Sequence, residues 1–82
     1  MWIDTHCHLD AEAFAADREV VLARARDAGV SMMVIPAVEA EGFAAAAELA
    51  HRHGCAYALG IHPLYTPQAG DGALDRLRQA LE

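Results

Sequence analysis

The stretch Ser31-Met32-Met33-Val34-Ile35-Pro36 decides the fold of this chain. Four apolar residues follow one another without a charge, and a proline closes the run. A short continuous apolar run of this kind is typical of a strand that is buried on both faces of a parallel sheet. We therefore expect residues 31–35 to form an internal strand, with other strands on both sides.

Helical and extended segments alternate on both sides of this run. Asp17 is a plausible N-cap for the first helix, and Gly29 and Gly54 are expected to end the first and second helices. The strands are predicted at 2–5, 31–35 and 55–61, and the helices at 17–28, 41–53 and 73–82. This alternation predicts parallel β-α units. A doubly wound sheet and a (β/α)8 barrel both remain open, although no glycine-rich phosphate loop favours the former.

Composition indicates one small folded domain. The chain has 82 residues, of which 55% are hydrophobic. The chain has six arginines, no lysine and 12 acidic residues, which give a net charge of -6. This charge opposes binding of nucleic acid over a broad surface, so any such binding would require a local positive charge such as a bound cation. We find neither a signal peptide nor a membrane-spanning segment, so we expect a cytoplasmic protein without a membrane partner.

The two cysteines are expected to be free thiols. Cys7 follows the first predicted strand and Cys55 begins the third, so their separation exceeds the ~7 Å that a disulfide tolerates between Cα atoms. Cys7 has an alternative interpretation as a nucleophile, but no third group is arranged in the sequence to support a catalytic dyad.

Two histidines, His6 and His8, follow the first predicted strand. Side chains at positions i and i+2 of an extended segment point to the same side, so both imidazoles can reach one cation while Cys7 faces away. Asp4 lies on that side too, where it could orient an imidazole or accept a hydrogen bond from the local backbone. This spacing predicts a metal site at His6 and His8.

The other histidines give a control and a third candidate. His51 and His53 repeat the spacing on a predicted helix, where residues two apart lie about 200° apart, so we expect two solvated side chains that share no metal. His62 precedes Pro63 after the third strand, and by itself it fits a pocket or a turn equally well. Because strand ends of a barrel meet at one face, we expect His62 near His6 and His8.

Three motifs together resemble a known family. The motifs are IDTHCHLD at residues 3–10, DREVVLARARDAGV at residues 17–30 and GIHP at residues 60–63. In order and spacing they are similar to the TatD family of metal-dependent deoxyribonucleases, which belongs to the amidohydrolase-like TIM barrels. The resemblance covers essentially the whole chain.

The resemblance implies a fold, an activity and a set of site residues. Residues 1–82 would be the N-terminal three β-α units of a (β/α)8 TIM barrel, as part of a single metal-dependent hydrolase domain. The activity would be cleavage of phosphodiester bonds, as a DNA exonuclease, with Mg²⁺ as the expected cation and Mn²⁺ or Zn²⁺ as alternatives. The H-x-H motif falls on His6 and His8 as metal ligands. The G-x-H-P histidine falls on His62 as a catalytic residue facing the substrate or metal.

The chain departs from the family in its extent. A complete barrel has about 250 residues, and family members draw a metal-binding glutamate, two further histidines and an aspartate from later strands. We therefore expect the 82-residue chain alone to be inactive and to need the rest of the barrel or another chain against its open edge.

Two alternatives to a TatD-like exonuclease stay open at this point. One is a non-catalytic barrel fragment. The other is a phosphoesterase related to histidinol phosphatase, which also opens with H-x-H. That family normally continues with a segment containing serine and glycine, and LDAEAF at residues 9–14 does not fit it.

Overall fold

Three parallel strands form one sheet in the computed structural model, which describes residues 1–82. The strands are β1 (Trp2–Asp4), β2 (Val30–Pro36) and β3 (Ala56–Ala58). Their order in the sheet is β1-β2-β3, and β2 pairs in parallel with both neighbours. The predicted α/β class and the internal position of β2 are therefore confirmed. The outer strands are shorter than predicted, and only β2 has two neighbours to extend its ladder.

The helices lie between and after the strands as predicted. They are α1 (Arg18–Asp27), α2 (Phe43–His53) and α3 (Ala73–Leu81), and three short 3-10 turns lie at Glu12–Phe14, Ala40–Gly42 and Pro63–Gln68. Gly29 and Gly54 follow α1 and α2 with φ angles of 99° and 68°, a left-handed conformation that glycine adopts without strain. Asp17 precedes α1 but its side chain makes no capping hydrogen bond, so that part of the prediction is wrong. None of the helices has the length and apolar character needed to cross a membrane.

The core lies between β2 and the first two helices. Met33 and Ile35 of β2 are buried, and they join a cluster with Leu9, Leu22 of α1 and the apolar side of α2. The intervening residues behave differently: Met32 is exposed and Val34 is half-buried. The prediction that β2 is buried on both faces is wrong, because helices cover only the face that carries Met33 and Ile35.

Helix α3 makes few contacts with the rest of the chain. Ala73 is buried and Leu77 packs against the edge of the core. Leu74 and Leu81, which helical spacing places on the same side of α3 as Leu77, are 71% and 65% exposed. A single ion pair, between Arg76 of α3 and Glu41 of the turn Ala40–Gly42, links the helix to the turn before α2 at 3.2 Å.

Candidate metal and substrate site

His6 and His8 lie side by side immediately after β1. Their ring centroids are 4.9 Å apart and the ring planes are inclined by 84°. Both side chains are exposed, whereas Cys7 between them is half-buried against the core. The predicted alternation is therefore present, although β1 ends at Asp4 and the two histidines belong to the segment that follows it.

Two backbone contacts fix this segment. The Cys7 N–H donates to the Val34 carbonyl of β2 at 3.0 Å, so the segment continues alongside β2 beyond the end of β1. The Asp4 carboxylate accepts a hydrogen bond from the His6 backbone N–H at 3.1 Å. Of the two interpretations of Asp4, the structure therefore shows the local backbone contact. Asp4 holds the turn into the histidines and does not contact an imidazole.

Arg18, the first residue of α1, holds the chain just beyond His8. Its Nε donates to the Leu9 carbonyl at 2.7 Å, and its Nη2 lies 3.4 Å and 3.3 Å from the carbonyls of Asp10 and Ala11. The Ala11 N–H in turn donates to the His8 carbonyl at 3.0 Å. Sequence reasoning did not identify this role for Arg18. The only available signal was its place in the DREVV motif, ten residues after His8, and spacing alone does not reveal contacts to main-chain carbonyls.

Loops after β2 and β3 form the opposite side of the site. The Ala37 N–H donates to the Ala58 carbonyl at 2.8 Å, and the His62 N–H donates to the Val38 carbonyl at 2.7 Å. Together these bonds extend the pairing of β2 with β3 past the ends of the strands. They bring His62 to the same edge of the sheet as the histidine pair.

A single cleft at this edge, which we call the histidine cleft, contains all three predicted site residues. Its volume is about 260 Å³, and it is lined by His6, His8 and residues 36–38 and 58–62. Apart from the three imidazoles, its lining side chains are apolar or absent. The cleft lies at the carboxyl ends of the parallel strands, where βα proteins place their ligands.

The ring of His62 is held from one side. Its Nδ1 accepts a hydrogen bond from the Leu64 backbone N–H at 3.1 Å, and its carbonyl accepts one from the Tyr65 N–H at 2.8 Å. The Tyr65 ring packs edge-to-face on the imidazole with 6.2 Å between centroids. Pro63 begins the 3-10 turn that presents both backbone donors. His62 is therefore fixed by the turn that follows it while its ring remains exposed to the cleft.

The donor set fits part of a divalent-metal site. Two imidazoles at this separation can supply two nitrogen ligands to one ion, since a histidine nitrogen binds such ions at about 2.0–2.1 Å. No group of three or more His, Cys, Asp or Glu side chains in the chain is arranged so that it could hold a metal ion. These 82 residues thus bring together two imidazoles that could serve as metal ligands, and a complete coordination shell would need further donors.

The control pair behaves differently from His6 and His8. His51 and His53 both lie in the last turn of α2. His51 packs against the Tyr57 ring with 5.6 Å between centroids, whereas the half-buried His53 lies toward α1, where its carbonyl accepts a hydrogen bond from Arg26. Their rings share no cleft, as predicted. The expectation that both are solvated holds for the exposed His51 but only in part for His53, which is half-buried.

Cys7 lacks the features of a nucleophile. Burial, followed by the negative charge of Asp4, raises the pKa of its thiol, so the reactive thiolate is disfavoured. Cys7 and Cys55 are both free, as predicted. The side chain of Cys7 contributes to the core, and its backbone N–H aligns the histidine segment on β2.

Comparison with known proteins gives consistent family relationships. The chain is 46% identical over 82 residues to the "Uncharacterized metal-dependent hydrolase YjjV" of Escherichia coli (strain K12), covering 99% of this chain and 32% of that protein. It is 35% identical over 81 residues to the "3'-5' ssDNA/RNA exonuclease TatD" of Pantoea ananatis (strain LMG 20103), covering 96% of this chain and 31% of that protein. The chain therefore spans about a third of the length of these relatives.

The family profile extends over nearly the whole chain. The profile described as "TatD related DNase" matches residues 3–82, which include the histidine pair, the Arg18 segment and His62. No solved structure matches the chain. On the extent of the profile match and the identity to these relatives, the chain belongs to the TatD-related DNase family.

Proposed function

We propose that the protein containing this chain is a divalent-metal-dependent hydrolase that cleaves phosphodiester bonds, acting as an exonuclease on DNA. The observation that carries this proposal is the convergence of His6, His8 and His62 on one cleft at the carboxyl ends of the strands. The names of the two relatives, a metal-dependent hydrolase and a single-strand exonuclease, support the same class of reaction.

In this proposal His6 and His8 hold the cation. Each imidazole offers a nitrogen lone pair, and the half-buried Cys7 between them keeps both rings on the exposed side of the segment. A divalent cation bound there supplies Lewis acidity toward a phosphoryl oxygen and makes bound water more acidic. The chain itself then needs no serine or cysteine nucleophile, which agrees with the raised pKa of Cys7.

Charge supports a cation in the cleft. The chain carries a formal net charge of -6, and a phosphodiester substrate is an anion. Because exposed like charges repel over about 8–10 Å at physiological salt, an anionic backbone needs a local positive charge to approach this surface. A cation held by two neutral imidazoles provides that charge at the cleft.

We further propose that residues 1–82 form the first three β-α units of a TIM barrel whose other units supply the remaining ligands. Two imidazoles leave most coordination positions of a divalent ion unfilled, and no third side chain of the chain is arranged with them to hold an ion. The sheet face of Met32 and Val34, which no helix covers, fits the interior of such a barrel. In this proposal the 82-residue chain alone does not hydrolyse DNA.

The test uses the natural full-length protein after removal of metal with a chelator. End-labelled single-stranded DNA is incubated with Mg²⁺, Mn²⁺ or Zn²⁺, and the release of nucleotides is followed. The three ions are compared because Mg²⁺ prefers oxygen ligands, whereas imidazole nitrogen suits zinc. We expect hydrolysis only after a cation is restored.

Matched variants assign the metal site. We expect His6→Ala and His8→Ala to lower metal affinity and turnover by at least about 100-fold, since removal of even an outer partner of a metal ligand costs 10–100-fold. His51→Ala repeats the chemical change outside the cleft and should leave both quantities unchanged. Equal effects of His6→Ala and His51→Ala, or the absence of hydrolysis by the wild type with every cation, would overturn the proposed function.

A further inference from the structure

The hydrogen bonds of His62 fix which of its ring nitrogens carries the proton. The Leu64 backbone N–H lies 3.1 Å from Nδ1. An amide N–H can only donate, so Nδ1 must present its lone pair to it. In the neutral imidazole one nitrogen accepts and the other carries hydrogen. The hydrogen of His62 therefore resides on Nε2.

The surrounding contacts keep the ring in this state. The His62 N–H and carbonyl are both bonded, to Val38 and Tyr65, so the backbone cannot rotate freely to release Nδ1. Nε2 has no hydrogen-bond partner within the chain, and the exposed ring lines the histidine cleft. His62 thus presents an N–H donor where His6 and His8 present metal-binding nitrogens.

We infer that His62 donates its Nε2–H to a phosphate oxygen of the substrate and is not a ligand of the metal held by His6 and His8. The inference rests on the proposed function and assigns His62 one of three conceivable roles. A metal ligand or a general base needs a free nitrogen lone pair. His62 has none, because the Leu64 amide occupies the lone pair of Nδ1 and Nε2 carries hydrogen.

The composition of the cleft makes the Nε2–H of His62 a distinctive hydrogen-bond donor there. Residues 36–38 and 58–61 contribute only apolar side chains or glycine, so His62 is the one lining side chain with a fixed donor. A phosphodiester has two non-bridging oxygens that carry its charge. A cation held by His6 and His8 would offset part of that charge, and the Nε2–H of His62, in the same cleft, would be free to donate to an oxygen of the same group. Hydrogen bonds to charged groups are the stronger class of such bonds.

Two substitutions distinguish the roles of the two ring nitrogens of His62. His62→Asn keeps an acceptor close to the position of Nδ1, so it can still bond the Leu64 N–H, but it lacks the distal donor. His62→Gln places an amide donor near the position of Nε2. Both variants are made in the natural full-length protein, with His6→Ala as the matched loss of a metal ligand and His51→Ala as the neutral control.

Three measurements then test the inference. Titration with Mn²⁺ alone, followed by electron paramagnetic resonance, should give the same affinity within about twofold for the wild type and His62→Asn, while His6→Ala loses it. Binding of inorganic phosphate and of a single-stranded phosphorothioate oligonucleotide to the Mn²⁺-loaded protein should weaken by about 10- to 100-fold in His62→Asn. His62→Gln should recover most of that loss. Nitrogen-15 spectra of labelled histidine should show His62 with its proton on Nε2.

Each result supports or overturns a separate statement. Loss of Mn²⁺ affinity in His62→Asn, a proton on Nδ1, or unchanged phosphate and oligonucleotide binding would overturn the role of His62 as a donor. A wild-type protein that binds Mn²⁺ and phosphate as described but hydrolyses no DNA would overturn the proposed exonuclease and leave the donor assignment standing. The two failures are therefore distinguishable.

Discussion

Replacing Arg18 tests how the segment that carries His6 and His8 is held. The guanidinium bonds three successive carbonyls, those of residues 9–11, and the first of these residues follows His8 directly. In Arg18→Ala those carbonyls lose their partner and the turn after His8 is tied only by the Ala11 N–H bond to the His8 carbonyl. Burial of the Leu9 side chain would then be the main contact that still holds this segment.

The size of the effect follows from the bond lengths. The 2.7 Å bond from Nε to the Leu9 carbonyl is short and comes from a charged donor, for which about 1.5–3 kcal/mol is typical. The contacts at 3.4 Å and 3.3 Å exceed the usual range and add little. We therefore expect Arg18→Ala to lower the free energy of unfolding by about 2 kcal/mol. Metal affinity should fall by up to about tenfold, the lower limit for loss of an outer partner of a metal ligand.

The assay is denaturant unfolding of the natural full-length protein, together with a Mn²⁺ titration. Arg24→Ala is the control, because Arg24 lies on the same helix, is exposed and makes no side-chain hydrogen bond. It should change stability by no more than about 0.5 kcal/mol. Arg18→Lys keeps the charge without the fork of donors and should fall between the two. If Arg18→Ala and Arg24→Ala prove equally stable with equal Mn²⁺ affinity, the anchoring role is refuted.

Three further predictions concern the fold. Ile35→Ala should cost about 2–5 kcal/mol in denaturant unfolding, because this side chain is fully buried in the core; a loss below 1 kcal/mol would contradict that packing. Gly54→Ala should lower the free energy of unfolding by about 1 kcal/mol, because it places a side chain on a residue with φ 68°. The control Gly42→Ala should be neutral, since nothing lies within 4 Å of the added Cβ. Equal melting temperatures of the two variants would argue against the left-handed cap at Gly54. The pKa of the Glu41 carboxyl is lowered from 4.5 by a hydrogen bond from its own backbone N–H and, next in size, by one from Arg76. The ionised carboxyl therefore stabilises the fold fully above pH 4.5, and this stabilisation is lost as the pH falls through the lowered pKa. The difference in melting temperature between the wild type and Glu41→Gln should therefore be present at pH 7 and shrink as the pH falls below 4.5, and a constant difference would refute the linkage.

Local signals in the sequence predicted the elements and the edge that carries the site. Gly29 and Gly54 indicated where α1 and α2 end, and both adopt the left-handed conformation that made them good markers. The i, i+2 spacing placed His6 and His8 together, and the same spacing correctly separated His51 from His53 once a helix was assigned. These predictions succeeded because each depends on a few neighbouring residues.

The features that sequence reasoning missed depend on long-range contacts. An apolar run such as that of β2 shows that a strand is buried but not which face is covered, and here Met33 is buried while Met32 is exposed. The carbonyls that Arg18 contacts are the same in every residue type, so no side-chain pattern marks them. The state of His62 was equally hidden, since it depends on one main-chain N–H in the turn that begins at Pro63.

The agreement between strand order and chain order has a consequence for synthesis on the ribosome. Each new strand adds beside the previous one, so β2 can pair with β1 before β3 has been made. Translation adds about 5–20 residues per second, and folding can begin during it. The synthesis of His62 therefore follows that of His6 by several seconds. Both partners of the bond from the Cys7 N–H to the Val34 carbonyl exist once β2 has been made, so the contact that orients the histidine pair needs no later part of the chain. The opposite wall of the cleft, by contrast, needs the loop after β3, because the His62 N–H bonds the Val38 carbonyl.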